Sequence, residues 1–199
     1  IGSEAGTDLT IAHLDANSTT WVRRLTDLTG ETEPRYYPSG IRHDANGELI
    51  AIADATNFQT VLITPSNDDV VYLPDLALAV HPNMIVTSQT VGDRAEIAMF
   101  DPDGTRLRTL STPAVRGATV TADGERVVIV TRTGEVLAGR PESSNIKTLN
   151  TVTLADGDTI TDAISVAGGS RLVAVARHSI HLIATDGTEL GVWRSDTTT

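Results

Sequence analysis

His43, Asp44 and His81 are the residues of this chain best suited to chemistry. Two imidazoles and a carboxylate can hold a metal ion or act as general base if the fold brings them together. Asp44, Asp54 and Asp75 would suit glycoside hydrolysis if they approached one another across a channel. Asp101-Pro102-Asp103-Gly104 opens like an acidic calcium loop. Thr105-Arg106-Leu107-Arg108 then stands where further ligands would be needed, so the segment reads as a hairpin turn. His178 and His181 are three residues apart, a spacing that sends the two rings to opposite faces of a strand and argues against a shared metal. No G-x-S-x-G elbow, phosphate-binding loop, G-x-G-x-x-G or H-E-x-x-H occurs, and the chain has no cysteine. The residues by themselves therefore name no catalytic group, no metal and no cofactor.

The elements that must position these groups are strands. Thr112 to Arg140 reads as alternating apolar residues up to Val120, an Asp123-Gly124 turn, the β-branched run Val127 to Val130, a turn at Arg132-Thr133-Gly134, and a third strand through Val136-Leu137. The same pattern recurs at Ile41 to Asp54, Leu76 to Gln89 and Ala163 to Arg177. The first-turn residues Asn46, Asn83, Asp123 and Gly168 are 37, 40 and 45 residues apart. A period of about 40 to 50 residues with four strands per repeat is that of a β-propeller blade. Nowhere do apolar residues recur at helical spacing for three turns, so the expected fold is all-β.

The organisation that follows is a propeller domain over residues 9–195, between a polar start at 1–8 and a tail at 196–199. Its units are about 9–37, 38–74, 75–112, 113–152 and 153–195; the first holds only a hairpin resembling the last two strands of a blade. Four complete repeats and a half blade make an incomplete ring or a fragment of one. Ile1 is not methionine, which suggests a segment further upstream.

Charge narrows the partners. A net charge of -11 disfavours nucleic acid and anionic membrane surfaces. In a propeller the connections between blades share one end of the ring with the turns between second and third strands. Here those segments carry Arg35, Tyr36, Tyr37, Phe58, Arg94, Arg116, Arg132 and His178. Aromatic residues and arginines are enriched at interface hot spots, so these eight are the candidate partner-binding residues.

The runs ATVTADGERVVIVTRTGEVLAGR and TDAISVAGGSRLVAVARHSIHLIATDGTEL resemble the C-terminal propeller of the actinobacterial lipoprotein family LpqB. Thr161-Asp162 before a first strand, Arg171-Leu172 opening a second, and the Thr185-Asp186-Gly187 turn carry the likeness. It extends loosely over Ile41 to Trp193 and is best from Arg116 to Leu190. The resemblance implies an extracytoplasmic domain, lipid-anchored to the cell membrane through a cysteine upstream of Ile1. It implies a role as accessory to a membrane sensor histidine kinase of the MtrB type, in envelope homeostasis and cell division, with no catalytic residues and no cofactor. Two alternatives stand beside it: a hydrolase or lyase at the channel mouth around His43, Asp44 and His81, and a purely structural propeller segment.

Overall fold

The computed structural model describes residues 10–14, 19–24, 36–44, 46–54, 58–64, 69–166 and 169–194; for 10–14, 19–24, 36–40 and 54 it describes the backbone alone. Strands β1 (Thr10–Leu14) and β2 (Thr19–Arg24) form a two-stranded hairpin. Four antiparallel four-stranded sheets follow, each made of strands consecutive in sequence. Blade 1 contains β3 (Tyr36–His43), β4 (Ile50–Asp54), β5 (Gln59–Thr64) and β6 (Asp69–Pro74). Blade 2 contains β7 (Leu76–His81), β8 (Met84–Val91), β9 (Arg94–Phe100) and β10 (Arg106–Pro113). Blade 3 contains β11 (Val115–Val120), β12 (Val127–Thr131), β13 (Glu135–Gly139) and β14 (Lys147–Thr151). Blade 4 contains β15 (Ile160–Val166), β16 (Arg171–Ala176), β17 (Ser179–Ala184) and β18 (Glu189–Arg194). No helix occurs among the described residues. The all-β expectation and its four complete repeats therefore agree with the structure.

The first strands of successive blades lie side by side, β3 against β7, β7 against β11 and β11 against β15. Between them the sheets meet face to face. Leu49, Ala51, Leu62 and Leu73 of blade 1 bury Ala77, Ile85, Ala98 and Phe100 of blade 2. Val86, Ile97 and Met99 from the other face of blade 2 pack with Ala118, Val127 and Ile129 of blade 3. Val128, Val130 and Val136 then meet Ala163, Leu172, Ala174 and Ile183 of blade 4. In blade 3 the second and third strands are apolar on both faces because the sheet is sandwiched between blades 2 and 4, which explains the unbroken run Val127 to Val130.

Asp-Gly turns set the ends of the strands. Asp103, Asp123 and Asp186 each accept a backbone N–H two residues on, from Thr105 (2.8 Å), Glu125 (3.0 Å) and Thr188 (2.9 Å). These bonds hold the three carboxyls below the usual carboxylate range, with the Thr121 hydroxyl the largest cause at Asp123. The glycine after each aspartate takes positive φ. In blades 2 and 4 it also lies against the outer strand of the preceding blade: a Cβ on Gly104 would come within 2.7 Å of Val71, and one on Gly187 within 2.6 Å of Leu149.

Pairing in β7, β11 and β15 shifts register near the strand start, at Ala77/Ala79, Val115/Gly117 and Ile160/Asp162. Such a bulge adds local twist and bends the strand. At Gly117 it brings neighbouring backbones so close that a Cβ would sit 2.1 Å from the Ala163 carbonyl oxygen. Gly92, by contrast, has positive φ (67°) but nothing within 4 Å. Gly92→Ala is expected to cost only the backbone term of about 1–2 kcal/mol. Gly117→Ala must push blades 3 and 4 apart, so its thermal midpoint should fall well below that of Gly92→Ala; equal midpoints would mean that the close approach is absent.

Candidate functional site

Strand direction gives the ring two ends. At one end lie the connections between blades and the turns between second and third strands, and backbone hydrogen bonds join the two kinds of segment. Asp75 N–H donates to the Phe58 carbonyl (3.0 Å), Val152 N–H to that of Gly134 (2.9 Å) and Ile160 N–H to that of Arg132 (2.9 Å). Arg132 N–H in turn reaches the Ala114 carbonyl at 2.7 Å. This end is therefore a stitched surface whose turns have fixed positions.

Phe58, Arg94, Arg116, Arg132 and His178 all stand exposed here. Phe58 is 72 % exposed and has φ of 51°, a left-handed conformation that a bulky residue rarely adopts. Its carbonyl holds Asp75, itself at φ 67°, whose own carbonyl takes the Thr60 hydroxyl at 2.8 Å. Burial, with a smaller contribution from Glu96, pushes the Asp75 carboxyl above its ordinary range against the opposing pull of Arg106. Arg94 Nε donates to Ser111 Oγ at 3.1 Å. Arg116 and Arg132 flank the cross-strand pair Val115 and Thr131 at one corner of blade 3, and neither has an ion pair or side-chain hydrogen bond among the described residues. The five residues stand on four different blades and are not bonded to one another. Arg177, exposed beside His178, belongs to the same end and was missed from sequence.

Tyr36 and Tyr37 begin β3, with Tyr36 paired to Asp54, but their side chains lie outside the described residues, and so does all of Arg35.

His178 is fixed by a carboxylate. The Asp158 side chain is only 3 % exposed and accepts backbone N–H groups from Thr159 (2.8 Å), Arg177 (3.1 Å) and His178 (3.2 Å), with His178 Nδ1 at 3.6 Å. Burial opposes the charge, yet these donors together hold its pKa below the usual value. The segment leading into blade 4 thereby clamps the turn between β16 and β17.

The opposite end holds the other candidates, and there the polar atoms are used by turns. The Asp44 carboxylate, 1 % exposed, accepts Leu49 N–H (2.9 Å) and Asn46 N–H (3.2 Å). Thr121 fills the same place in blade 3, its hydroxyl accepting Arg126 N–H at 3.1 Å. His43 Nδ1 donates to the Asp44 carbonyl (2.7 Å), while His81 Nδ1 accepts Asn83 N–H (3.1 Å). Asp44 and Asp75 sit at opposite ends of the ring. Among the described residues no three His, Cys, Asp or Glu side chains stand close enough to hold a metal ion.

One constellation escaped the sequence reading. Ser179 Oγ lies 2.7 Å from His181 Nε2, and His181 Nδ1 lies 2.5 Å from Glu189 Oε1. The connectivity is that of an acid–base triad, but the ring is 0 % exposed and Ser179 only 8 %, so no substrate reaches either. The network satisfies a histidine buried between blades 3 and 4. Its signal was Ser-x-His on one strand face with an acid opening the next strand.

The assembly is a propeller-like succession of four-stranded blades, joined through β3, β7, β11 and β15. The chain matches no protein-family model and no curated protein. Among solved structures it is similar to the Kuenenia stuttgartiensis hydrazine synthase, with TM-score 0.57 and 11 % identity over 78 % of this chain. It spans 48 % of that chain, about half its length. It is also similar to a chain of a nidogen/laminin complex, with TM-score 0.58 and 14 % identity over 94 % of this chain and 72 % of that one. At these identities the likeness is one of fold.

Two outcomes follow. Ser179→Ala strands a buried ring nitrogen and should cost about 1–3 kcal/mol in chemical denaturation; no loss would mean that the histidine finds another partner. Asp158, with its lowered pKa, contributes stability that is present above 3.8 and lost as pH falls further. Asp158→Asn should therefore flatten the acid limb of a stability-against-pH profile, whereas an unchanged limb would place acid sensitivity elsewhere.

Proposed function

We propose that this chain is a non-catalytic binding module whose stitched loop end recognises an acidic surface of a protein partner. The observation that carries the reading is the pair Arg116 and Arg132, two exposed guanidinium groups at one corner of blade 3 with no carboxylate partner among the described residues. Phe58 supplies an exposed aromatic anchor on blade 1, while Arg94 extends the cationic arc over blade 2 and His178 adds an exposed imidazole on blade 4. Backbone hydrogen bonds under these turns keep the surface preorganised, which lowers the entropy cost of binding. Positive side chains on a chain of net charge -11 favour one docking orientation, since an acidic partner is repelled from most of the remaining surface.

The resemblance to the LpqB propeller supplies the partner class: the extracytoplasmic domain of a membrane sensor histidine kinase of the MtrB type, met by an extracytoplasmic, lipid-anchored protein. The test is titration of the chain against that kinase domain at low and moderate salt. Saturable binding that weakens with salt is expected, with Arg116→Ala/Arg132→Ala raising Kd about tenfold, or about 1.4 kcal/mol. Unchanged affinity in the double variant, with the thermal midpoint preserved, would remove the loop end from the interface.

A further inference from the structure

The outer face of blade 4 repeats the buried face of blade 3 and is uncovered. On blade 3 the rows that meet blade 4 contain Thr119 opposite Val128, and Val130 opposite Val136, all 0 % exposed. Their counterparts 45 residues on, or 44 for Val136, are Ile164 opposite Val173, and Val175 opposite Ile180. Leu182 extends the first row and Trp193 the second. Here Ile164 is 42 %, Ile180 43 % and Trp193 59 % exposed. The Trp193 ring lies over Gly191, within 3.4 Å of where a Cβ would stand, and so lies along the face.

A terminal repeat that faces water carries polar replacements on its outer side. Blade 4 does the reverse. Isoleucine stands at 164 where blade 3 has Thr119, and Trp193 stands where it has Asn150. The surface is therefore built to be covered, by the same sheet-on-sheet contact that joins blades 1 to 4.

We infer that a second copy of this chain covers it, blade 4 against blade 4 about a twofold axis. Two observations select that occupant. On the far side of blade 1, Ile52, Val61 and Ile63 are each 0 % exposed, so blade 4 carries the remaining open apolar blade face of a second copy among the described residues. The face is also self-complementary in charge. By register its two charged residues are Asp162, at the loop end beside Val175, and Arg171, at the opposite end beside Val166. A twofold axis in the plane of contact, perpendicular to the strands, sets Asp162 of one copy over Arg171 of the other, twice. Such an isologous contact closes at two copies, whereas a head-to-tail contact would grow further.

Sedimentation equilibrium of the full chain tests this. A dimer is expected, and Ile180→Lys, which places two like charges in the centre of the contact, should raise its dissociation constant at least a hundredfold. Far-UV circular dichroism and an unchanged thermal midpoint of the monomer would show that the variant still folds. Arg171→Glu and Asp162→Arg should each weaken self-association, and mixing these two variants should restore a dimer, because each then meets an opposite charge. A monomer at all concentrations, a dimer indifferent to Ile180→Lys, assembly beyond two copies, or failure of the mixed variants to pair would overturn the inference.

Discussion

Everything in this protein depends on blades burying one another. A single four-stranded sheet with Val127 to Val130 in its second strand has two apolar faces and, among the described residues, no helix to cover either; a neighbouring blade removes them from water. Side chains such as Ile85, Ile97, Ile129 and Ile160 are fully buried in these contacts. Stability is therefore shared along the ring rather than held within each sheet, and the small residues mark where sheets come closest. Gly117 in the inner strands and the turn glycines Gly104 and Gly187 at the outer strands are set by the neighbouring blade more than by their own.

That packing also decides what the two ends of the ring can do. At one end the polar side chains Asp44, Thr121, His43 and His81 are taken up by the turns that close the inner hairpins. At the other, backbone amides do the stitching, which leaves side chains such as Arg116, Arg132 and Phe58 facing water. The asymmetry follows from where the hydrogen bonds go.

Much of this was legible in the sequence, because a propeller repeats its signals. Turns at Asn46, Asn83, Asp123 and Gly168 before apolar, β-branched runs, at intervals near forty residues, require nothing beyond local propensity, and they gave the blades and their hairpins. What depended on register was not legible. The bulges that open β7, β11 and β15 have no local signature, so the close approach at Gly117 was invisible. The Ser179, His181 and Glu189 network joins two strands through a register shift between Leu182 and Ile183. His181 was weighed against His178, three residues away, when its partners were two residues back and across the strand. Asp158 is another such case: it acts on a turn about twenty residues later, a contact fixed only by the fold.

The most direct test of the account is native-state hydrogen exchange followed by denaturant. If blades are stable only through one another, the amides of β8, β9, β12 and β13, on either side of the contact between blades 2 and 3, should lose protection together through one common opening at the global unfolding free energy. Separate openings, with blade 2 retaining protection after blade 3 has lost it, would show blades that stand alone and would contradict the claim that face-to-face burial holds the ring.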